Sequence, residues 1–366
     1  MTDDAGAAHS EGPALAPWLQ SQLENLLTQR GHAWLLQGPS GLGQFELALA
    51  CARAWLCEQP AGQGACGHCE SCHAIDVHTH PDLCMLLPET LALDLGWPLD
   101  QKTQEDLDAK KRKPSKEIKV DAAREMVAFT QFTRSRGTTK VVVVFPAERM
   151  NHVTANTLLK TLEEPPGAVK FILATEAAHQ LLPTLRSRCI GHALLWPEFE
   201  QALAWLETQT EMSGKVTKAP AMKPASKADL HTLLVAAGGR PADALQWLLS
   251  APPSQSARAW EALPGAMLRG DSAALAAWTP AEAIATLQKL CHDTLALRMG
   301  AGPRFFSKKA LGSYPETLIA GSGSLIALAN WSRELVQSAR TAEHPYNTGL
   351  MIEYLANRAC LALNAK

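Results

Sequence analysis

Four cysteines form the most specific chemical pattern in this sequence. Their spacing is C-x8-C-x2-C-x2-C, at Cys57, Cys66, Cys69 and Cys72. Two short knuckles with this spacing can wrap one Zn²⁺ tetrahedrally, because the small and polar residues between the thiolates allow tight turns. Four thiolates leave no coordination position for water, so we expect a structural rather than a catalytic metal.

Other interpretations of these cysteines stay open. The thiols could be reduced and free, or one cysteine could be replaced as a ligand by a nearby histidine, namely His68, His73, His78 or His80. A disulfide framework is disfavoured, because the nine cysteines are an odd number and the acidic start Met1-Thr2-Asp3-Asp4 lacks the basic segment of a signal peptide.

A glycine-rich loop is the second candidate site. It covers residues 38–43, after a predicted strand Ala33–Gln37 and before a predicted helix from about Gln44 to Leu56. In this order of strand, loop and helix, backbone N–H groups and the helix N-terminus can bind a phosphate.

The loop departs from the ATP-binding pattern G-x-x-x-x-G-K-[ST] at two positions. Gly38 and Gly43 match the glycines, but Gln44 stands at the lysine and Phe45 at the hydroxyl residue. A neutral amide cannot supply the charge that holds the β- and γ-phosphates, and a phenyl ring has no oxygen for magnesium. We therefore expect a degenerate phosphate loop.

Two apolar runs in the middle of the chain predict the centre of a sheet. Residues 141–145 and 171–175 are separated by a helix-length segment that ends at Pro165-Pro166. This pattern predicts buried parallel strands joined by a crossover helix. Arg188 follows shortly afterwards, and we expect it near the carboxyl end of a strand, where α/β sheets present ligand-facing groups.

This central segment resembles the clamp-loader members of the AAA+ family. The resemblance is carried by the block Leu162-Glu163-Glu164-Pro165-Pro166 and the triplet Ser187-Arg188-Cys189. It implies a structural role for the cysteine module, because a four-cysteine module in the same place, followed by a turn like His80-Pro81-Asp82, occurs in such a subunit.

The resemblance also gives Arg188 a role. In the family, the arginine of the triplet acts in trans as an arginine finger that reaches the ATP of a neighbouring subunit. The alternative is that Arg188 merely pairs with a carboxylate such as Glu163 or Glu164.

Further departures from the family pattern predict that this chain does not hydrolyse ATP. Phe145-Pro146 stands where active members carry Asp-Glu for magnesium and the attacking water, and Ala242 stands where nucleotide-binding relatives have a sensor-two arginine. Together with Gln44 and Phe45, these residues imply that no ATP is bound as a cofactor. Hydrolysis by an altered site is the alternative.

Composition limits the class of protein. A hydrophobic fraction of 46% and a charged fraction of 19% indicate globular domains, and the length of 366 residues allows two or three. The net charge of −2 argues against binding nucleic acid by bulk electrostatics. No apolar run approaches the roughly 20 residues of a membrane span, so we expect a cytoplasmic protein without membrane contact.

We predict three domains after a flexible N-terminus. The predicted parts are the N-terminus (1–16), an AAA+-type α/β domain (17–196) that contains the zinc module (57–72) and a charged insertion (88–116), a helical lid (197–251), and an all-α collar for oligomerisation (252–366). The insertion lacks periodicity and ends in a lysine-rich run, so we interpret it as solvated. The acidic residues before that run disfavour contact with DNA phosphates.

Finer expectations concern individual elements. We expect Asp121 to be the N-cap of a helix, a last short strand at 193–196, a lid helix from about Phe199 to Thr208, a loop or partly disordered insertion at 210–227, and a domain boundary at Pro252-Pro253-Ser254.

The function implied by the resemblance is that of a non-hydrolysing subunit of a DNA polymerase clamp loader. Its partners would be the other loader subunits, the sliding clamp and primed DNA, within a hetero-oligomer. One alternative, a stand-alone P-loop ATPase acting on DNA, is disfavoured by Gln44, Phe45 and Phe145. The other, a zinc-ribbon nucleic-acid-binding protein, is disfavoured by the near-neutral charge and by the large apolar helical region.

Overall fold

The computed structural model describes residues 15–60, 64–216, 226–250, 256–312, 322–342, 344 and 347–365. The chain divides into two compact units, Met1–Trp196 and Pro197–Lys366. Three expectations fall wholly or partly outside the described residues: the flexible N-terminus, the centre of the 210–227 loop and the Pro252-Pro253-Ser254 boundary.

A five-stranded parallel sheet forms the centre of the first unit. Its strands are β1 Ala33–Gln37, β2 Leu83–Leu86, β3 Lys140–Val144, β4 Val169–Thr175 and β5 Ile190–Ala193. Their order is β2-β3-β4-β1-β5, and every pairing is parallel. The sheet confirms the predicted α/β class. All five residues of β3 are buried, as an apolar strand of a sheet covered on both faces requires.

Helices connect the strands of this unit. They are α1 Pro17–Thr28, α2 Gln44–Leu56, α3 Glu70–Asp76, α4 Glu89–Asp94, α5 Gln101–Asp108, α6 Val120–Gln131, α7 His152–Glu163 and α8 Pro183–Arg186. The predicted crossover is confirmed, because α7 joins the neighbouring strands β3 and β4. The N-cap of this helix is Asn151, whose side chain accepts the N–H of Thr154 at 2.9 Å.

Residues 88–116 contain two helices, which corrects the expectation of an aperiodic insertion, although no residue of α5 is buried, as expected for a solvated segment. They contain α4 and α5, and the Glu89 side chain organises them from a buried position. Its carboxylate accepts hydrogen bonds from Arg112 (3.0 Å), Lys119 (2.7 Å) and the N–H of Ser115 (2.8 Å). Burial alone raises the pKa of Glu89, but these hydrogen bonds outweigh it and lower the pKa to about 2.

Other local expectations are also corrected. The N-cap of α6 is Lys119 rather than Asp121, and Asp121 pairs with Arg124 inside the first turn. The last strand lies earlier than the expected 193–196, because the backbone at Ile190 to Ala193 pairs with β1. The exposed Leu195 and Trp196 follow this strand.

In the second unit, all regular structure among the described residues is helical. The helices are α9 Phe199–Val216, α10 Lys227–Ala236, α11 Pro241–Ser250, α12 Ala257–Leu268, α13 Pro280–Arg298, α14 Lys308–Leu311, α15 Ser322–Arg340 and α16 Thr348–Leu363. Helix α9 continues past Thr208, so the first part of the expected 210–227 loop is helical. None of the helices that the structure describes is both long and apolar enough to cross a bilayer.

Apolar side chains of these helices form two clusters. A small cluster joins α9, α10 and α11 around Leu206 and Leu234. A larger cluster contains Trp260, Leu287 and Trp331, and in it Trp260 stacks on Phe306 with ring centroids 4.4 Å apart. The division of this unit into a lid and a collar stays a prediction.

We expect Glu89→Gln to loosen the segment 88–119, because Arg112 and Lys119 would keep their charge without the carboxylate. The free energy of unfolding at pH 7 should fall by about 2 kcal/mol, and trypsin should cut faster at the lysines of residues 110–116. Since the folded-state pKa of Glu89 lies below the ordinary value of 4.5, its contribution is complete above that pH and is lost as the pH falls towards 2.

Chemical denaturation between pH 7 and pH 2 measures this effect. The difference between the native protein and the variant should shrink across the acid range. Asp108→Asn, an exposed change on α5, is the matched control and should alter neither measurement. Equal behaviour of the two variants would contradict the role of Glu89.

Candidate functional site

Four cysteine sulfurs converge at the end of α2. Cys57 follows α2, Cys66 lies between α2 and α3, Cys69 is the N-cap of α3, and Cys72 lies in the first turn of α3. The ligand atoms all lie within 4.8 Å of one another, with Cys57–Cys69 at 3.8 Å and Cys66–Cys72 at 4.0 Å. Zinc–sulfur bonds of about 2.3 Å in a tetrahedron place sulfurs about 3.8 Å apart. The cluster therefore fits, and could hold, a metal ion.

Backbone N–H groups already point at two of the sulfurs. Cys66 donates to the Sγ of Cys57 at 3.3 Å, and Cys72 donates to the Sγ of Cys69 at 3.4 Å. The backbone N–H of His68 lowers the pKa of the Cys66 thiol to about 7, whereas burial raises the pKa of Cys57 and Cys72. A bound cation would offset this cost of burial by stabilising the thiolates.

The nearby histidines make other contacts. The Nδ1 of His68 lies 2.9 Å from the carbonyl oxygen of Cys66. His78 stacks on Trp97 with ring centroids 3.9 Å apart. Among the described residues, the candidate metal cluster contains the four cysteines and no histidine, so the geometry favours the four-cysteine ligand set.

His80 lies in the predicted turn, and its ring is buried. Its Nδ1 accepts the N–H of Asp82 at 3.1 Å, and its Nε2 has no hydrogen-bond partner among the described residues. Burial lowers the pKa of this imidazole, which favours the neutral ring. The His80-Pro81-Asp82 turn is therefore a structural corner between the module and β2.

Sequence reasoning missed the residues that attach the module to the sheet. The guanidinium of Arg136 contacts two carboxylates of the module, Glu70 at 2.7 Å and Glu58 at 3.4 Å. The buried carboxylate of Asp82 accepts the N–H groups of Ser135 (3.0 Å) and Arg136 (2.7 Å). The only sequence signal for this arrangement was the turn that contains Asp82.

The Gln44 side chain is buried within the glycine loop. Its amide donates to the carbonyl oxygens of Gly38 (2.6 Å) and Pro39 (2.7 Å). The amide is thus directed at the loop's own backbone, whereas a lysine here would extend towards phosphates. The loop keeps the expected backbone bends, with positive φ at Gly41 (76°) and Gly43 (100°).

The two positions expected to serve magnesium hold a pair of aromatic rings. Phe45 at the start of α2 and Phe145 after β3 contact each other with ring centroids 5.3 Å apart. Neither ring offers an oxygen ligand, and their contact is apolar. In the second unit, Ala242 lies in the first turn of α11, between Arg240 and Asp243, which pair with each other at 2.9 Å.

Arg188 lies at the edge of the sheet where the strands begin, which we call the amino edge; the carboxyl edge is the one where the strands end. This corrects the expectation that Arg188 lies near the carboxyl end of a strand. It precedes β5, which starts beside Trp34 near the beginning of β1. The glycine loop follows the opposite end of β1, and a five-residue strand spans about 15 Å. The Arg188 guanidinium pairs with Glu163 and donates to the carbonyl oxygen of Thr184 at 2.8 Å.

Comparison with known sequences places the first unit in a family. The family described as "DNA polymerase III, delta subunit" matches residues 13–195, half of the chain. The chain belongs to this family. The match includes the cysteine cluster, the glycine loop and Arg188, whereas residues 196–366 lie outside it.

Individual relatives agree with this assignment. The chain is similar to DNA polymerase III subunit delta' of Pseudomonas aeruginosa, with 38% identity over 192 residues, or 52% of each chain. It is similar to the Escherichia coli K12 protein of the same name, with 38% identity over 202 residues, or 54% of each chain. The chain spans about half the length of these curated relatives.

More distant similarities involve other subunits. DNA polymerase III subunit tau of Escherichia coli K12 is 31% identical over 176 residues, which cover 48% of this chain and 23% of that protein. A solved structure of a gamma subunit-related protein from Thermotoga maritima covers 95% of this chain and 100% of its own, with 17% identity and a TM-score of 0.46.

We expect the cysteine cluster to bind one metal ion per chain, and we expect Cys69→Ser to lower this content and to loosen α3. The reason is that metal binding and folding of such a module are coupled, so loss of one ligand releases both. Elemental analysis of the purified protein and thermal unfolding with and without a chelator measure the two effects. Cys189→Ser, a thiol change outside the cluster, should leave both unchanged. A metal content near zero for the native protein under reducing conditions would contradict the site.

Proposed function

We propose that this chain is a delta'-type subunit of a DNA polymerase III clamp loader, which helps to load the sliding clamp onto primed DNA without hydrolysing ATP itself. Its partners in this proposal are the tau/gamma-type ATPase subunits and the delta subunit, with the clamp and the DNA contacted through the complex. The family match supports the clamp-loader role. The Gln44 amide bonded within the glycine loop is the observation that carries the non-hydrolysing part.

The charge and ligands that ATP requires are missing from the described part of the glycine loop. An ATP-binding loop needs a cation for the β- and γ-phosphates and an oxygen for magnesium. Gln44 supplies neither, because its amide is neutral and its N–H groups are bonded to Gly38 and Pro39. The Phe45 and Phe145 rings occupy the magnesium side. These contacts favour a subunit in which the glycine loop has a structural role and does not bind ATP for hydrolysis.

We propose zinc as the metal of the cysteine cluster. Four sulfur ligands with tetrahedral spacing suit zinc, and a closed set of thiolates has no open position for catalysis. The metal would therefore join the end of α2 to α3 and would take no part in a reaction. The Arg136 contacts with Glu58 and Glu70 continue this attachment to the sheet.

We propose that Arg188 acts in trans as an arginine finger. It lies at the edge of the sheet away from its own glycine loop, so it is poorly placed to serve that loop. About one third of its side chain is exposed, at 33%. A guanidinium stays charged and presents a planar fork of donors to phosphate oxygens, which is the chemistry an ATP site in a neighbouring subunit needs. In the isolated chain, Glu163 holds this fork in place.

The first test of the proposal concerns ATP. We expect the isolated chain to show no ATP turnover, and we expect Gln44→Lys to remain inactive because Phe45 and Phe145 still deny magnesium its ligands. Equilibrium titration with ATP and a phosphate-release assay measure both properties. A tau/gamma-type subunit assayed in parallel is the positive control. Micromolar ATP affinity together with turnover by the native chain would instead support a stand-alone ATPase.

The second test concerns Arg188. In a reconstituted loader, Arg188→Ala should reduce DNA- and clamp-stimulated ATP hydrolysis at the neighbouring site by a factor of the order of 10³ to 10⁵ if the finger is fully engaged. The isolated variant should unfold at nearly the same temperature as the native chain, because exposed ion pairs contribute little to stability. Arg188→Lys should restore only part of the activity, since an ammonium cannot reproduce the fork.

Glu163→Gln is the matched control for this test. It removes the ion pair but keeps the guanidinium, so loading activity should be retained. A purely structural pair would make the two variants equally unstable and leave hydrolysis by the complex unchanged in both. Full loading by the complex that carries Arg188→Ala would remove the trans role.

A further inference from the structure

A cavity of about 800 Å³ opens beside β2, the edge strand of the sheet. Three consecutive residues of the strand, Leu83, Cys84 and Met85, line it. Because alternate side chains of a strand point to opposite faces, a cavity that touches consecutive residues lies beyond the edge of the strand rather than above one face. The cavity therefore faces the side of β2 that has no neighbouring strand among the described residues.

The backbone of β2 presents hydrogen-bonding groups to this cavity. Val141 donates to the carbonyl oxygen of Asp82, and Phe145 donates to that of Leu86, so even-numbered residues of β2 face β3. The N–H and C=O of Met85 consequently point away from the sheet. Neither group of Met85 forms a hydrogen bond with another residue in the described part of the chain.

Two walls flank this strand edge. Ala122, Glu125 and Phe129 of α6 form one wall, at the spacing of one helix face. The folded segment that follows α4 forms the other, with Trp97 and Leu99 among its lining residues. An open strand edge between two walls provides backbone hydrogen bonds in the middle and apolar contacts on both sides, which is the geometry used to bind an extended peptide.

The charges of the lining favour a cationic peptide. Six carboxylates line the cavity against four lysine and arginine side chains. Three of those cations already pair with acids of the same lining, because Arg112 and Lys119 contact Glu89 and Arg124 contacts Asp121.

Three of the carboxylates have no cation of their own. One of them, Asp100, is the N-cap of α5 and accepts the N–H of Thr103 at 2.9 Å, which leaves two. Glu117 and Glu125 form no ion pair with any described residue. Partial burial and the neighbouring carboxylates of Asp100 and Asp121 raise the pKa of Glu125, as expected for an acid that lacks a cationic partner.

We propose that the cleft at the free edge of β2 is a docking site for an extended, lysine- or arginine-bearing segment of a partner protein, which adds to the sheet as a further strand. The Met85 backbone pairs with the segment, its apolar side chains contact the two walls, and its basic side chains meet Glu117 and Glu125. This site is independent of the ATP-related groups, since it involves neither the glycine loop nor Arg188.

The test uses the full chain and a labelled probe peptide of alternating lysine and valine with blocked ends. Fluorescence anisotropy measures binding, and hydrogen exchange followed by NMR measures protection of the Met85 amide. We expect saturable binding at least tenfold tighter than that of the matching glutamate–valine peptide, with slower exchange at Met85. A lysine–valine peptide with methylated backbone nitrogens should bind at least tenfold more weakly, because it cannot pair with a strand edge.

Variants of the chain separate the backbone contribution from the charge contribution. Met85→Pro removes the edge N–H and should reduce binding at least tenfold, and proline is tolerated at a sheet edge. If this variant fails to fold, the double change Glu117→Gln with Glu125→Gln tests the site instead. It should weaken binding of the lysine peptide but not binding of the glutamate peptide. Asp108→Asn makes the same type of charge change outside the lining and should have no effect.

Several outcomes would overturn the proposal. They are the absence of saturable binding at millimolar peptide, equal affinity for the lysine and glutamate peptides, undiminished binding of the methylated peptide, and competition by single-stranded DNA at the same residues. The last outcome would reassign the cleft to nucleic acid. Because no assay here involves ATP or clamp loading, failure of this proposal leaves the proposed function untouched, and the reverse also holds.

Discussion

Burial of both faces of the parallel sheet is the constraint on which the rest of the first unit depends. The five residues of β3 are all buried, and even Lys140 is enclosed, with its ammonium donating to the carbonyl oxygen of Phe129 at 2.7 Å. Parallel neighbours need crossover connections, which must pass over one face or the other. Every strand therefore starts at one edge of the sheet and ends at the opposite edge, so the connecting segments fall into two groups.

These two edges carry different kinds of group. The carboxyl edge holds the glycine loop, where Gln44 and the Phe45–Phe145 pair fill the places of the phosphate-binding cation and the magnesium ligands. The amino edge holds the cysteine module, because α2 runs back from the glycine loop and the module follows its end. Arg188 lies at the same edge. At the edge that carries nucleotide chemistry in ATP-binding folds, the Gln44 amide contacts the loop backbone and the two phenylalanine rings contact each other. The four cysteine sulfurs and the Arg188 guanidinium lie at the other edge.

Sequence reasoning succeeded where one local physical rule determines the structure. Strand β1, helix α2 and the α7 crossover were predicted because apolar runs, glycines and the Pro165-Pro166 stop act locally. The four cysteines were found because metal ligands have short, regular spacing. The structure brings their sulfurs together within 4.8 Å.

The misses share a different origin, which is pairing between residues far apart in the chain. The charge of segment 88–116 gives no sign of its helices, because the segment is organised by Glu89, which is satisfied by Arg112, 23 positions away, and by Lys119, 30 positions away. Strand β5 was placed too late because its limits depend on which residues meet β1. The predicted position of Arg188 was wrong for the same reason. The edge at which a residue lies follows from the topology of the sheet rather than from the local sequence pattern.

The glycine loop is held by packing contacts that do not depend on a bound phosphate. Leu42 is fully buried, and its carbonyl oxygen accepts the indole N–H of Trp18 at 2.8 Å, so the loop is a packing partner of α1. Gly43 has a φ of 100°, and a Cβ there would lie 2.6 Å from the Cδ1 of Leu19. Glycine is therefore required at this position by backbone conformation and by the close approach of α1, whether or not a phosphate binds. The glycines of the motif report on the turn and its packing, whereas the residues at positions 44 and 45 report on nucleotide chemistry, and only the second kind of evidence bears on hydrolysis.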